Sequence, residues 1–168
     1  MTQEEWANSN DAEAMLEALY SEEPKFFEQQ VSQLHRFLIA CCWKHAHLIP
    51  QQGLRDGLRG AERWIVGEID DEELNRLNWY AEADAFFLDY AKAPAELDQI
   101  RKMITAIGEL DDLSFDDARA LLLEAAYFAE GSMIYPQIRP APWFERVFTS
   151  KFLCAKLLRE HVKPPLTS

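Results

Sequence analysis

Apolar residues recur three and four positions apart along most of the chain, and stretches alternating in twos are scarce. The pattern predicts helices, punctuated by capping signals. Thr2 and Glu5 form a T-x-x-E capping box opening a short turn around Trp6. Asn10 and Glu13 repeat the signal ahead of Met15, Leu16 and Leu19, and Ser21 is placed to cap a third helix with Pro24 in its first turn. From there the spacing predicts one continuous helix over 24–49, a central strut roughly 37 Å long that Pro50 brings to a close.

Leu54, Leu58, Ala61 and Ile65 make the next stripe, in a helix that also carries Gly53, Gly57 and Gly60. Glycines inside a helix cost stability unless another helix comes close at those positions. Asp70-x-x-Glu73 caps a helix whose apolar face is Leu74, Leu77, Ala81, Ala85 and Leu88. Pro94 restarts the chain, with Leu97, Ile100, Ile104 and Ile107 leading to Gly108. Ser114 opens a helix through Ala118, Leu121, Leu122 and Ala125 to about Gly131. Residues 132–142, with three prolines, read as a crossover loop. A last helix over 143–162 uses Phe144, Val147, Phe148, Phe152 and Leu158, before a tail over 163–168. The expected fold class is all-α: a single-domain helical bundle over residues 1–168, of about seven helices, with the long central helix as its strut.

Composition agrees and adds charge. With 168 residues, 48% hydrophobic and only six glycines, the chain suits one globular body with little sheet. A net charge of −12 disfavours direct contact with nucleic acid or anionic membranes. Residues 1–30 hold eight acids and one base, residues 68–98 ten and two, whereas residues 133–168 hold six bases against Glu145 and Glu160. That asymmetry predicts a basic last helix lying on acidic neighbours, its bases near Glu13, Glu17 or the 70–73 cluster; the alternative is a basic partner docking on the acidic half. The N-terminus lacks the basic start and apolar run of a signal peptide, so a cytoplasmic protein with reduced thiols is expected.

The candidate chemistry centres on ACCWKHAHLI, residues 40–49. On a continuous helix Val31, Leu34, Leu38, Cys41, Cys42, His45, Leu48 and Ile49 share one stripe, while His47 lies about 200° away from His45. The two histidines then diverge, adjacent cysteines do not suit a disulfide, and the reading is a buried face without metal or cofactor. The opposite side, Arg36, Trp43, Lys44 and His47, is the candidate interaction face. Trp79, Phe86, Phe87 and Tyr90 read first as a helix buried on both sides, and second as a binding surface. No catalytic residue is assigned. The expected function is a non-enzymatic, acidic interaction module with a protein partner. An enzyme using acids such as Glu82, Asp84, Asp89, Asp111, Asp112, Asp116 and Asp117, with or without a metal, is the alternative, and a nucleic-acid mimic the third.

The segments MTQEEWANSNDAEAMLEAL, LHRFLIACCWKHAHLI, AERWIVGEIDDEEL and AKLLREHVKPPL stand in that order. In this the chain resembles an uncharacterised bacterial family of paralogues with segments like MTEAEWL…PMLEFL, LRLFACACCRRIWHLL, AERYADGLATEEEL and ALLRDIFGNPF. Trp43 stands where that family has arginine, His45 where it has isoleucine, and His47 in the family's histidine position. The resemblance implies kinship and no activity, cofactor or catalytic residue.

Overall fold

Side-chain capping sets four of the helix starts. In a computed structural model, described here for residues 1–138 and 150–166, Thr2 and Glu5 complete their reciprocal box at 3.2 and 2.7 Å and open α1 (Gln3–Asn8). Asp11, not Asn10, caps α2 (Ala12–Glu22), accepting from the Ala14 amide at 3.0 Å. This helix runs through Ser21, so the third helix, α3 (Pro24–Gln29), starts from Glu23 with proline at its head.

The predicted strut is not continuous. Gln30 leaves helical geometry at φ −115° and ψ 38°, and His45 does so at φ −106° and ψ 25°. Between them lies α4 (Val31–Lys44), followed by a 3-10 turn at Ala46–Leu48. Arg55 seals that turn by donating to the carbonyls of Ile49 and Ala46, both at 2.7 Å. Neither Gln30 nor His45 is glycine or proline, which is why the sequence alone does not reveal the breaks.

Four more long helices follow: α5 (Gln52–Ile65), α6 (Asp71–Tyr90), α7 (Pro94–Ile107) and α8 (Phe115–Met133). Asp70 and Ser114 cap α6 and α8 as their spacing predicts, at 2.9 and 3.1 Å. Glu96 reaches back to the Ala93 amide at 3.0 Å, ahead of Pro94. Of the proposed crossover, residues 132–133 finish α8 and residues 135–138 form a turn, α9 (Tyr135–Ile138); the remainder lies outside the described residues. Phe144, Val147 and Phe148 also lie outside them. Residues 150–154 are not helical, so the last helix is the short α10 (Ala155–His161). The described residues thus form ten α-helices and no strand, an all-helical fold with more and shorter pieces than seven.

The core is built where α4, α5, α6 and α8 meet, with Phe37, Leu54, Leu58, Leu74, Leu88 and Leu122 fully buried. The α5–α6 pair is the most intimate, and α5's glycines explain why. A Cβ at Gly53 would fall 2.9 Å from the Tyr80 carbonyl oxygen and 2.5 Å from Asp84 Oδ2. At Gly60 it would meet only Leu77 Cδ1, the far end of a flexible side chain, at 2.2 Å. Gly53→Ala should therefore cost about 1–3 kcal/mol, since α6's backbone must give way, while at Gly60 the helical gain of alanine offsets much of the strain. Urea unfolding of both variants checks this ordering; a more stable Gly53→Ala protein would contradict it.

The last helix docks on α4 and α2 with Leu158 and Val162 fully buried, so it does close the N-terminal half. The bases of this C-terminal stretch choose other partners than those expected. Lys151 pairs with Glu124 of α8 at 2.5 Å, and Arg159 donates to the Ser9 carbonyl.

Candidate functional site

The outer face of α6 is the largest departure from ordinary packing. Leu74, Ala81, Ala85 and Leu88 turn inward, and α5 and α8 flank the helix. Its solvent side carries Trp79, Phe86 and Tyr90, 77%, 42% and 67% exposed, with Tyr80 58% exposed on the α5 flank. Residues 72, 79, 86 and 90 share one stripe by helical spacing. Phe86 and Tyr90 meet edge to face at 5.9 Å. The reading of this helix as buried on both sides is therefore corrected. Phe87 alone of the four aromatics is half-buried, because it turns toward the body.

Acids frame the stripe. Helix α6 holds Asp71, Glu72, Glu73, Glu82, Asp84 and Asp89 against one base, Arg76. Arg76 is already engaged by Glu73 at 2.8 and 2.6 Å. On the α8 side Tyr127 donates to Asp89 at 2.5 Å, and Glu82 faces Glu130. Burial first, and then the Glu82 charge, push the Glu130 carboxyl up to about 7. On the α5 side Asp84 lies beside the first amides of α5. Burial raises its carboxyl above the usual range, although the Gly53 and Leu54 amides favour the charged form without completing a hydrogen bond to Oδ2. Asp56, Arg76, Tyr80 and Asp84 edge a cavity of about 410 Å³ there, which leaves Glu82 and Glu130 outside it.

The four residues expected to share a face on the central helix do not converge. Arg36 is exposed. Trp43 is half-buried, donating to Glu62 at 2.9 Å under the Arg59 guanidinium at 5.6 Å. Lys44 reaches Cys154 Sγ at 3.2 Å, and His47 pairs with Glu109 at 3.3 Å. Trp43, Lys44 and His47 are each directed to a different neighbour.

Cys41 and Cys42 are fully buried, as the stripe implies. His45 is only half-buried, its ring against Phe152 at 5.1 Å. Because the helix ends at Lys44, the His45 and His47 rings lie 6.3 Å apart instead of diverging. Among the described residues, no three His, Cys, Asp or Glu side chains come together as metal ligands.

The fully buried histidine is His35, which sequence reasoning passed over. Its Nε2 donates to the Met133 carbonyl at 3.0 Å, leaving Nδ1 buried without a hydrogen-bond partner. Burial lowers its pKa to about 4 despite the nearby Met133 and Ser132 carbonyls. The signal was present: His35 lies four residues after Val31 and three before Leu38, inside the apolar stripe.

The thiols divide the same way. Burial pushes Cys41 up to about 12, and Cys42 higher still. Cys154 is partly exposed; burial raises its thiol, but the Leu157 amide and the Lys44 ammonium outweigh this and set it below the ordinary value. At pH 7 a thiol reagent should label Cys154 first and Cys41 and Cys42 only after denaturation, and Lys44→Ala should slow the Cys154 reaction. Peptide mass spectrometry reads this; native labelling of Cys42 at the Cys154 rate would contradict it.

No family model matches the chain, and neither a curated protein nor a solved structure does. The likeness to the bacterial paralogues rests on its four segments alone. Among the described residues no helix is long and apolar enough to cross a membrane.

Proposed function

We propose that this protein is a non-enzymatic, acidic interaction module, and that the outer face of α6 is its binding surface. The observation carrying this is the exposure of Trp79, Phe86 and Tyr90 in one line on a rigid helix whose other side is core. Exposed aromatic side chains offer large contact area at small entropic cost, and Trp and Tyr dominate binding energy where partners meet. Single exposed apolar residues are ordinary, whereas grouped ones mark contact surfaces; here Phe86 and Tyr90 touch, and Trp79 stands on the same side two turns before Phe86. Scaffold and surface are separable here. The glycine-mediated α5–α6 packing holds the helix from its inner side.

The test compares the protein with Trp79→Ala/Phe86→Ala as baits at equal concentration in extract from the source cells. A stoichiometric partner retained by the former and lost by the latter, with unchanged circular dichroism, supports the reading. A partner retained equally by both places the binding elsewhere.

A further inference from the structure

The charges around the α6 stripe select its occupant, an inference that rests on α6 being the binding face. Trp79 to Tyr90 spans about 16 Å of helix axis, the length of a three-turn contact. Glu72 continues the stripe two turns before Trp79, and Glu82 and Asp89 line its α8 flank. Glu130 stands beside Glu82, where burial and the Glu82 charge hold back its own ionisation, so Glu82 carries the negative charge on that flank. The base on α6 is held by Glu73, and Arg119 of α8 is tied to the Leu88, Asp89 and Ala91 carbonyls at the far end, so the acids outnumber the bases along the stripe and most strongly around Glu72 and Glu82.

A second copy of the chain, with its net charge of −12, would bring the same acids onto these acids. An anionic membrane is disfavoured for the same reason. A helix with one apolar side and Lys or Arg beside it matches both the aromatic line and its acidic flank. We infer that the occupant of the α6 face is a basic amphipathic helix of another protein, its apolar side on Trp79, Phe86 and Tyr90 and its cations against Glu82 and Asp89.

The probe is a dye-labelled amphipathic helix of leucine and lysine, with a glutamate-for-lysine version as control, followed by fluorescence anisotropy. The lysine peptide should bind and the glutamate peptide should not. Trp79→Ala should weaken binding roughly thirtyfold, the loss of a central aromatic anchor. Glu82→Gln/Asp89→Asn should weaken it several-fold and flatten its salt dependence, while Glu4→Gln, on α1, leaves it unchanged. Equal binding of both peptides, or binding indifferent to Trp79→Ala, overturns the inference. Light scattering on the peptide-free protein separates the two levels. A dimer undone by Trp79→Ala would overturn the basic partner and keep α6 as an interface. A monomer that ignores both peptides would remove the binding-face reading as well.

Discussion

Phe152→Ala should lower stability by about 3–5 kcal/mol, whereas Lys151→Ala, one residue away, should change it by at most about 1 kcal/mol. Phe152 is 4% exposed, with its ring 5.5 Å from Phe128 of α8 and 5.1 Å from His45 at the end of α4. Truncation leaves a cavity between two helices that are already fixed elsewhere, so the site relaxes little. Lys151 reaches Glu124 with both side chains more than half exposed, and water screens the pair. Paired urea titrations decide the matter. A loss for Lys151→Ala comparable to that for Phe152→Ala would mean that charge, not apolar burial, seats the C-terminal segment.

Glu130→Gln should stabilise the protein by about 2–3 kcal/mol at pH 8 and by almost nothing at pH 4. The Glu130 carboxyl titrates near 7 in the folded chain against an ordinary 4.5. The folded state therefore binds more protons between those values, and stability falls as pH rises through that window. The full gap is worth roughly 3 kcal/mol, less some screening by water at its exposed edge. His35 works in the opposite sense. Its folded value near 4 lies below the ordinary 6.5, so the unfolded chain binds more protons there and stability rises with pH across that interval. The two slopes oppose each other between about pH 4.5 and 6.5. Glu130→Gln should uncover the rise due to His35, visible as a steeper pH dependence of the urea midpoint. A variant no more stable than its parent at pH 8 would show that the carboxylate is charged there without penalty.

The helical class and several helix starts were legible because the information is local. Thr2, Asp70 and Ser114 cap by reaching three residues ahead, within the span that spacing can report. The breaks at Gln30 and His45 were not legible: neither residue is Gly or Pro. Asn10 failed as a cap because its neighbour Asp11 takes the role, and Ser21 because α2 runs through it to Glu22, so that α3 starts from Glu23 without a side-chain cap. The α6 face was ambiguous for a different reason. Trp79 and Phe86 share one side and Phe87 turns away from it, and only the placement of α5 and α8 decides which side meets water. His35 was hidden by its polarity within an apolar stripe, and Cys154 by depending on Lys44, 110 residues earlier.

The contacts that join the chain's two ends bear on how the molecule is made. Arg159 binds the Ser9 carbonyl across 150 residues, and the Lys163 amide donates to Gln33 Oε1 across 130. By contrast, α5 and α6 are joined by a short turn and pack along much of their length. During synthesis α2 and α4 emerge well before α10, so the surface that Leu158 and Val162 cover stays bare until that helix follows. Closing so long a loop carries an entropic cost that the α5–α6 hairpin avoids. A segment made before α10 is completed only by it, and until then its apolar side is open to chaperones and to other nascent chains.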